Sequence, residues 1–187
     1  QKGVGYLRKS AEQGNQYAQY QLGKFYLKPD SQAFDLETGI FYLECAAEQG
    51  NENAVYLLGK SYLDPELEIY DPAKGEAYLF PLAVNGNQYA QYQLGKLYLD
   101  PSTSFHDSKK GISFLKEAAE QGNQYAQVKL GLEYLKNENV GRDLSEARFW
   151  LGKAAEQGNE LAEKILNDLH TQGIRQRMGG KSGAGEL

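Results

Sequence analysis

Cysteine occurs once in these 187 residues and histidine twice, so disulfide and metal chemistry have little to work with. One Cys excludes an internal disulfide framework. His106 and His170 have no acid near them at metal-ligand spacing, and neither recurs elsewhere in the pattern described below. Long apolar runs are missing too: none approaches the ~20 residues of a membrane helix. No basic-then-apolar leader opens the chain, so no membrane partner is expected and an intracellular setting is favoured. Basic residues are outnumbered, 20 Lys and Arg against 25 Asp and Glu, for a net charge of −5. A surface built to grip nucleic acid would be basic. No cofactor is expected.

What the chain has in quantity is tyrosine, with 14 copies, and a repeat. Ala-Glu-Gln-Gly-Asn ends at Asn15, Asn51, Asn123 and Asn159, a spacing of 36 with one gap. The gap is filled by a degenerate copy, Ala83-Val84-Asn85-Gly86-Asn87. A fixed period in the 20–50 range marks a solenoid whose units stack on their neighbours.

Each unit reads as two helices. Gly14, Gly50, Gly86, Gly122 and Gly158 follow apolar-periodic stretches, where Gly suits the left-handed residue that closes a helix. Asn comes next every time and is a favoured N-cap. One helix thus ends and another begins within about two residues, which makes neighbours antiparallel. The first helix of the unit, the A helix, carries Ala54, Leu58 and Tyr62 on one face, matched by Ala18, Leu22, Tyr26 and by Ala90, Leu94, Tyr98 and Ala126, Leu130, Tyr134. These Tyr are expected in the core. Gly59, with Gly23, Gly95 and Gly131, sits mid-helix at a cost of roughly 1 kcal/mol against Ala. The expected reason is a neighbouring helix pressing close.

A seven-residue connection follows, containing Pro29, Pro65 or Pro101 in three copies, and Pro bars helix continuation. Asp35, Asp71, Asp107 and Asp143 then start the second, or B, helix as N-caps. Asp143 with Glu146 has the spacing of a capping box. The B helix repeats a small residue, an aromatic three later and then Leu, as in Gly39, Tyr42 and Leu43. Small residues facing large ones let two helices interlock at short separation. The Glu-Gln pair before each closing Gly reads as a solvated final turn.

Ala-x3-Leu-Gly-x2-Tyr, a loop, Asp, then small-x2-aromatic-x3-Ala-Ala-x2-Gly resembles the Sel-one-like repeat, a relative of the tetratricopeptide repeat. The resemblance implies an all-α fold: a right-handed α/α superhelical solenoid of stacked antiparallel hairpins, with A helices on the concave side. It also implies a non-enzymatic adaptor that gathers partner proteins. The family's Gly-x-Gly-Val loop is approached only at Asn139-Val140-Gly141-Arg142-Asp143. The repeats also resemble, more loosely, arrays appended to mobilisation relaxases.

The expected solenoid spans residues 3–171: a half repeat, four full repeats and a polar capping helix from Glu160 to Thr171. Residues 172–187 read as a disordered tail. The start at Gln1, in mid-pattern and without Met, fits a piece of a longer chain.

A second stripe runs one residue before the core trio on each A helix. It holds Tyr17, Tyr20, Lys24 and Leu27, then Asn53, Tyr56, Lys60 and Leu63, then Tyr89, Tyr92, Lys96 and Leu99. The fourth copy keeps Tyr125 but has Val128 and Leu132. By the tetratricopeptide analogy this stripe faces the groove. Tyr rings give contact area at low entropy cost and Lys meets carboxylates, so an extended peptide, acidic or with a free C-terminal carboxylate, fits it. Two other roles stay open for these Tyr and for the array's N-terminal end: packing between adjacent A helices, and self-association. A different class of function is a structural spacer or oligomerising arm for an upstream catalytic domain such as a relaxase.

Catalysis has little to stand on. Cys45 lies at a variable B-helix position with no His to activate it. Gly179-Gly180-Lys181-Ser182 has the ending of a phosphate-binding loop, but Arg175 replaces its first Gly and no strand precedes it.

Overall fold

A computed structural model describes residues 2–29, 31–136 and 143–179, with side chains from 3 to 171. Among the described residues there are ten α-helices and no strand, an all-α helical repeat solenoid. The chain divides into two compact units, Gln1–His106 and Asp107–Leu187. The first holds α1 (Lys2–Glu12), α2 (Gln16–Tyr26), α3 (Leu36–Glu48), α4 (Glu52–Tyr62), α5 (Pro72–Val84) and α6 (Gln88–Leu99). The second holds α7 (Ser108–Glu120), α8 (Gln124–Leu135), α9 (Leu144–Glu156) and α10 (Glu160–Gly179). Even-numbered helices are A helices and odd-numbered ones B helices. The expected end of the array at 171 falls inside α10, whose backbone stays helical to Gly179.

The helix-to-helix links follow from two residues. All five closing glycines have positive φ, from 79° at Gly158 to 94° at Gly122, a region costly for any residue with a Cβ. At the first link the amide of Gly14 donates to Ala11 O and that of Asn15 to Ser10 O, the pair of bonds that finishes a helix in a Schellman motif. The Asn15 side chain meanwhile accepts from Ala18 N at 3.0 Å and caps the next helix. One Asn therefore closes one helix and opens another. The arrangement recurs at Asn51, Asn87, Asn123 and Asn159.

The A-to-B connections are held at their far end. The amides of Asp35, Asp71 and Asp143 donate to the carbonyls of Tyr26, Tyr62 and Tyr134, each at 2.9 Å. Their carboxylates cap the following helix, as does that of Asp107. The capping box expected at Asp143 and Glu146 is only half made. Asp143 Oδ1 accepts from Glu146 N, but the Asp143 amide is already committed to Tyr134. The Glu146 carboxylate turns instead to the Trp150 indole N–H at 3.0 Å. Asn139–Arg142, which approached the family loop, lie outside the described residues.

The core is a ladder of leucines. Leu22, Leu58, Leu94 and Leu130 from the A helices and Leu43, Leu79, Leu115 and Leu151 from the B helices are all fully buried. Each burial is worth about 1.5–3 kcal/mol. The mid-helix glycines explain how the helices approach. A Cβ on Gly59 would stand 2.5 Å from Leu79 Cγ and 3.1 Å from Tyr78 Cβ; on Gly23 and Gly131 it would meet Leu43 and Leu151 in the same way. The B-helix glycines reciprocate, since Gly39 and Gly75 receive Leu27 and Leu63. The α2–α3 and α4–α5 hairpins thus interlock Leu into Gly in both directions.

Tyr62, Tyr98 and Tyr134 are buried, as the pattern requires of core residues. Tyr26 is half-buried, with its ring stacked on Tyr42 at 6.2 Å and its hydroxyl accepting from Arg8. Tyr62 stacks on Tyr78 at 5.8 Å. Burial lifts the Tyr62 and Tyr78 phenols above their ordinary pKa, and the nearby Glu44 adds to the rise.

Candidate protein-binding surface

The nine residues of the Tyr/Lys stripe do not form one uniform face. Lys24, Lys60 and Lys96 are exposed. Tyr17, Tyr89 and Tyr125, at the first position of each A helix stripe, are 53–68% exposed. Tyr20, Tyr56 and Tyr92, one turn later, are half-buried. Tyr20 packs on the cluster formed by Leu43, Ala54 and Leu58, so it fills space between α2 and α4. The lower end of the stripe turns mainly into packing. Leu27 and Leu63 occupy the space over Gly39 and Gly75, Leu99 and Val128 are buried, and Leu132 packs in the α8–α9–α10 core. Spacing alone placed them on one helical stripe, but a helix packed between two neighbours buries residues beyond the single core-facing stripe.

Within the first unit the structure brings four of the nine together. The rings of Tyr56 on α4 and Tyr89 on α6 lie 6.2 Å apart, tilted by 59°. Gln93 Nε2 donates to Tyr56 Oη at 3.4 Å, bridging the same two helices. One turn on, Lys96 Nζ stands 5.7 Å from the centre of the Tyr92 ring. Beyond Lys96 opens a cavity of about 340 Å³, lined by Gln93, Lys96, Tyr70, Pro65, Asp100 and their neighbours. Its wall is the α4–α5 loop, whose Asp64 side chain accepts from Glu66 N at 3.0 Å and fixes the turn around Pro65. Asp100 holds the α6 end of the cavity through Ser102 N and Oγ, at 2.9 and 2.6 Å. Tyr17, Tyr20 and Lys24 sit on α2 of this unit, and Tyr125 on α8 of the second.

Sequence reasoning passed over the glutamine that follows the first core Ala. Gln19, Gln91 and Gln127 are buried, and their Nε2 groups donate to the carbonyls of Ala11, Ala83 and Ala119 at the end of the preceding B helix. Each of those carbonyls lies in the last turn and already accepts from the amide of the closing Gly14, Gly86 or Gly122, so the Gln side chain supplies a second donor. The closing Gln is not merely solvated either: Gln49 donates to Gln19 Oε1 at 2.6 Å and Gln157 to Gln127 Oε1 at 2.8 Å. The recurrence of Gln at i+8 from that Ala was the available signal.

Other candidate chemistry finds no support in the geometry. Cys45 is half-buried, and burial, then Glu48 and Glu44, push its thiol up and away from reactivity. His106 is in a loop and His170 on α10. Among the described residues no group of His, Cys, Asp and Glu is arranged to hold a metal ion, and no helix is long and apolar enough to cross a membrane. Gly180–Ser182 lie outside the described residues.

The Sel1 repeat model matches residues 1–15, 16–51, 88–123 and 124–159. The chain belongs to the Sel1 repeat family. A protective antigen of uropathogenic Escherichia coli with an SLR fold is 32% identical over 91% of this chain, with a TM-score of 0.78. A Sel1 repeat protein from Oxalobacter formigenes is 33% identical over 89%, with a TM-score of 0.66. The chain spans 36% and 48% of those two structures respectively. No curated protein matches the chain in sequence. Sel1 repeats generally serve as scaffolds for protein interaction and are typically non-catalytic.

Proposed function

We propose that this Sel1 repeat array is a peptide-binding adaptor module whose A-helix face receives an extended, acidic segment of a partner protein. The observation that carries this reading is the continuous surface of Tyr56, Tyr89, Tyr92 and Lys96, which ends in the cavity beside Lys96. Exposed rings of Tyr89 and Tyr17 supply apolar area, and Lys24, Lys60 and Lys96 recur at equivalent places along it. A cation held near a ring keeps its charge available to a carboxylate while its stem stays in contact with the aromatic face.

The test is panning of a random peptide library against the chain and against a Lys24→Glu, Lys60→Glu, Lys96→Glu variant of equal helicity. Enrichment of acidic peptides by the first and their loss from the second is the expected outcome. Acidic peptides retained by the variant, or none enriched by either, would overturn the reading and favour a spacer role.

A further inference from the structure

The α4–α5 loop has a second side. Its Glu68 and Ile69 close a cavity of about 440 Å³ against the first two turns of α3, where Leu36, Ile40 and Phe41 form the floor. Glu37 and Glu44 stand on the same helix at the rim. The composition is unusual: an apolar floor, an aromatic ring 58% exposed, and three carboxylates around it. Among the described residues no ion pair joins Glu37, Glu44 or Glu68 to a basic side chain. The charge of Glu44 is felt locally, since it raises the Tyr62 and Tyr78 phenols beyond what burial does, with Lys74 opposing it at Tyr78.

The repeat gives an internal control. Lys109 and Lys116 take the places of Glu37 and Glu44 in the unit two periods on, and Ser113 takes that of Phe41. Core positions stay nearly constant across units while this face reverses its charge, so packing does not require the acidic set.

We propose that this cavity is a second docking site, on a face distinct from the Tyr/Lys stripe, for a basic amphipathic segment of a partner protein. An arginine lays its stem on Ile40 and Ile69 with its guanidinium over the Phe41 ring, and the forked N–H donors meet Glu37, Glu44 and Glu68. The volume lies within the range of pockets that enclose a small ligand, enough for one long side chain and its flanking apolar neighbour.

The probe is a fluorescein-labelled hexapeptide of alternating Leu and Arg, followed by anisotropy against the full chain, with a Leu–Glu hexapeptide as the charge control. Phe41→Ala and the pair Glu37→Gln with Glu68→Gln should each weaken binding at least tenfold. The pair Glu120→Gln with Glu156→Gln, which removes the same charge elsewhere, should change it less than twofold. Phe41 and both Glu are exposed, so these variants should keep wild-type helicity, checked by circular dichroism. Equal losses from the two Glu pairs would show non-specific attraction and overturn the proposal, as would no saturable binding. A concentration-dependent dimer in sedimentation that Phe41→Ala disperses would assign the cavity to a second copy of this chain instead. The Lys24, Lys60 and Lys96 charge reversals should leave this binding in place, so the site stands or falls apart from the A-helix groove.

Discussion

Replacing Gly59 by Ala sets two effects of known sign against each other. Ala is the better helix former, and in an open helix interior the change gains about 1 kcal/mol. Gly152, in the middle of α9 with nothing within 4 Å of its would-be Cβ, measures that gain alone. At Gly59 the new methyl would lie 2.5 Å from Leu79 Cγ and 2.9 Å from Cδ2, closer than real Cβ atoms come. Leu79 is fully buried and cannot swing aside, and Tyr78 Cβ at 3.1 Å blocks a slide along the helix. The α4–α5 hairpin must therefore spread, an overpacking cost of about 1–3 kcal/mol. Gly152→Ala should raise the urea midpoint, while Gly59→Ala should leave it unchanged or lower it by up to about 2 kcal/mol of stability. A double-mutant cycle sharpens the test. Leu79→Ala alone should cost about 2–5 kcal/mol, and that cost should shrink in the Gly59→Ala background, where the added methyl already fills part of the space. If Gly59→Ala stabilised as much as Gly152→Ala, or if the cycle were additive, the close-approach account of the mid-helix glycines would be wrong.

Two further outcomes follow from buried and capping charges. Glu133, its side chain 2% exposed, sits where two other units carry the buried Leu97 and Ser61, and among its partners Lys129 and Lys136, at 3.2 and 3.1 Å, are themselves 32% and 49% exposed. Because exposed partners attract weakly while burial costs in full, Glu133→Leu should be neutral or stabilising by up to about 4 kcal/mol in urea unfolding; a clear loss would show that the carboxylate holds more of α8 together than its cost. Asp35 accepts from both the amide and the hydroxyl of Thr38, which lowers its pKa below the ordinary 3.8. That stabilisation is complete above the unfolded pKa and vanishes as pH falls through the lower folded one, so Asp35→Asn should flatten the acid limb of the Tm–pH curve there and leave the alkaline limb unchanged.

Much of this molecule was legible because the repeat reports the same environment several times. Gly-Asn links, Asp caps, the Leu ladder and the mid-helix glycines all depend on contacts within a unit or with the next one, so each copy restates the same local rule. The stripe was legible only in part for the opposite reason. A helix pattern shows which residues share a face, but the depth of that face depends on how far the next A helix leans over it. Tyr17 and Tyr20 lie one turn apart in the same row, and packing on the cluster between α3 and α4 takes only the second partly out of solvent. The Gln of Tyr-Ala-Gln was missed because polarity argued for solvent, whereas its amide adds a second donor to a helix-end carbonyl that the closing Gly amide already meets. The loops carried the least signal and the most consequence. Three Pro-containing connections looked like interruptions of a pattern, yet the one after Tyr62 forms walls of two cavities, one beside Lys96 and one beside Phe41. In a repeat array the constant positions make the scaffold, and what distinguishes one unit from the next is where a particular partner can be recognised.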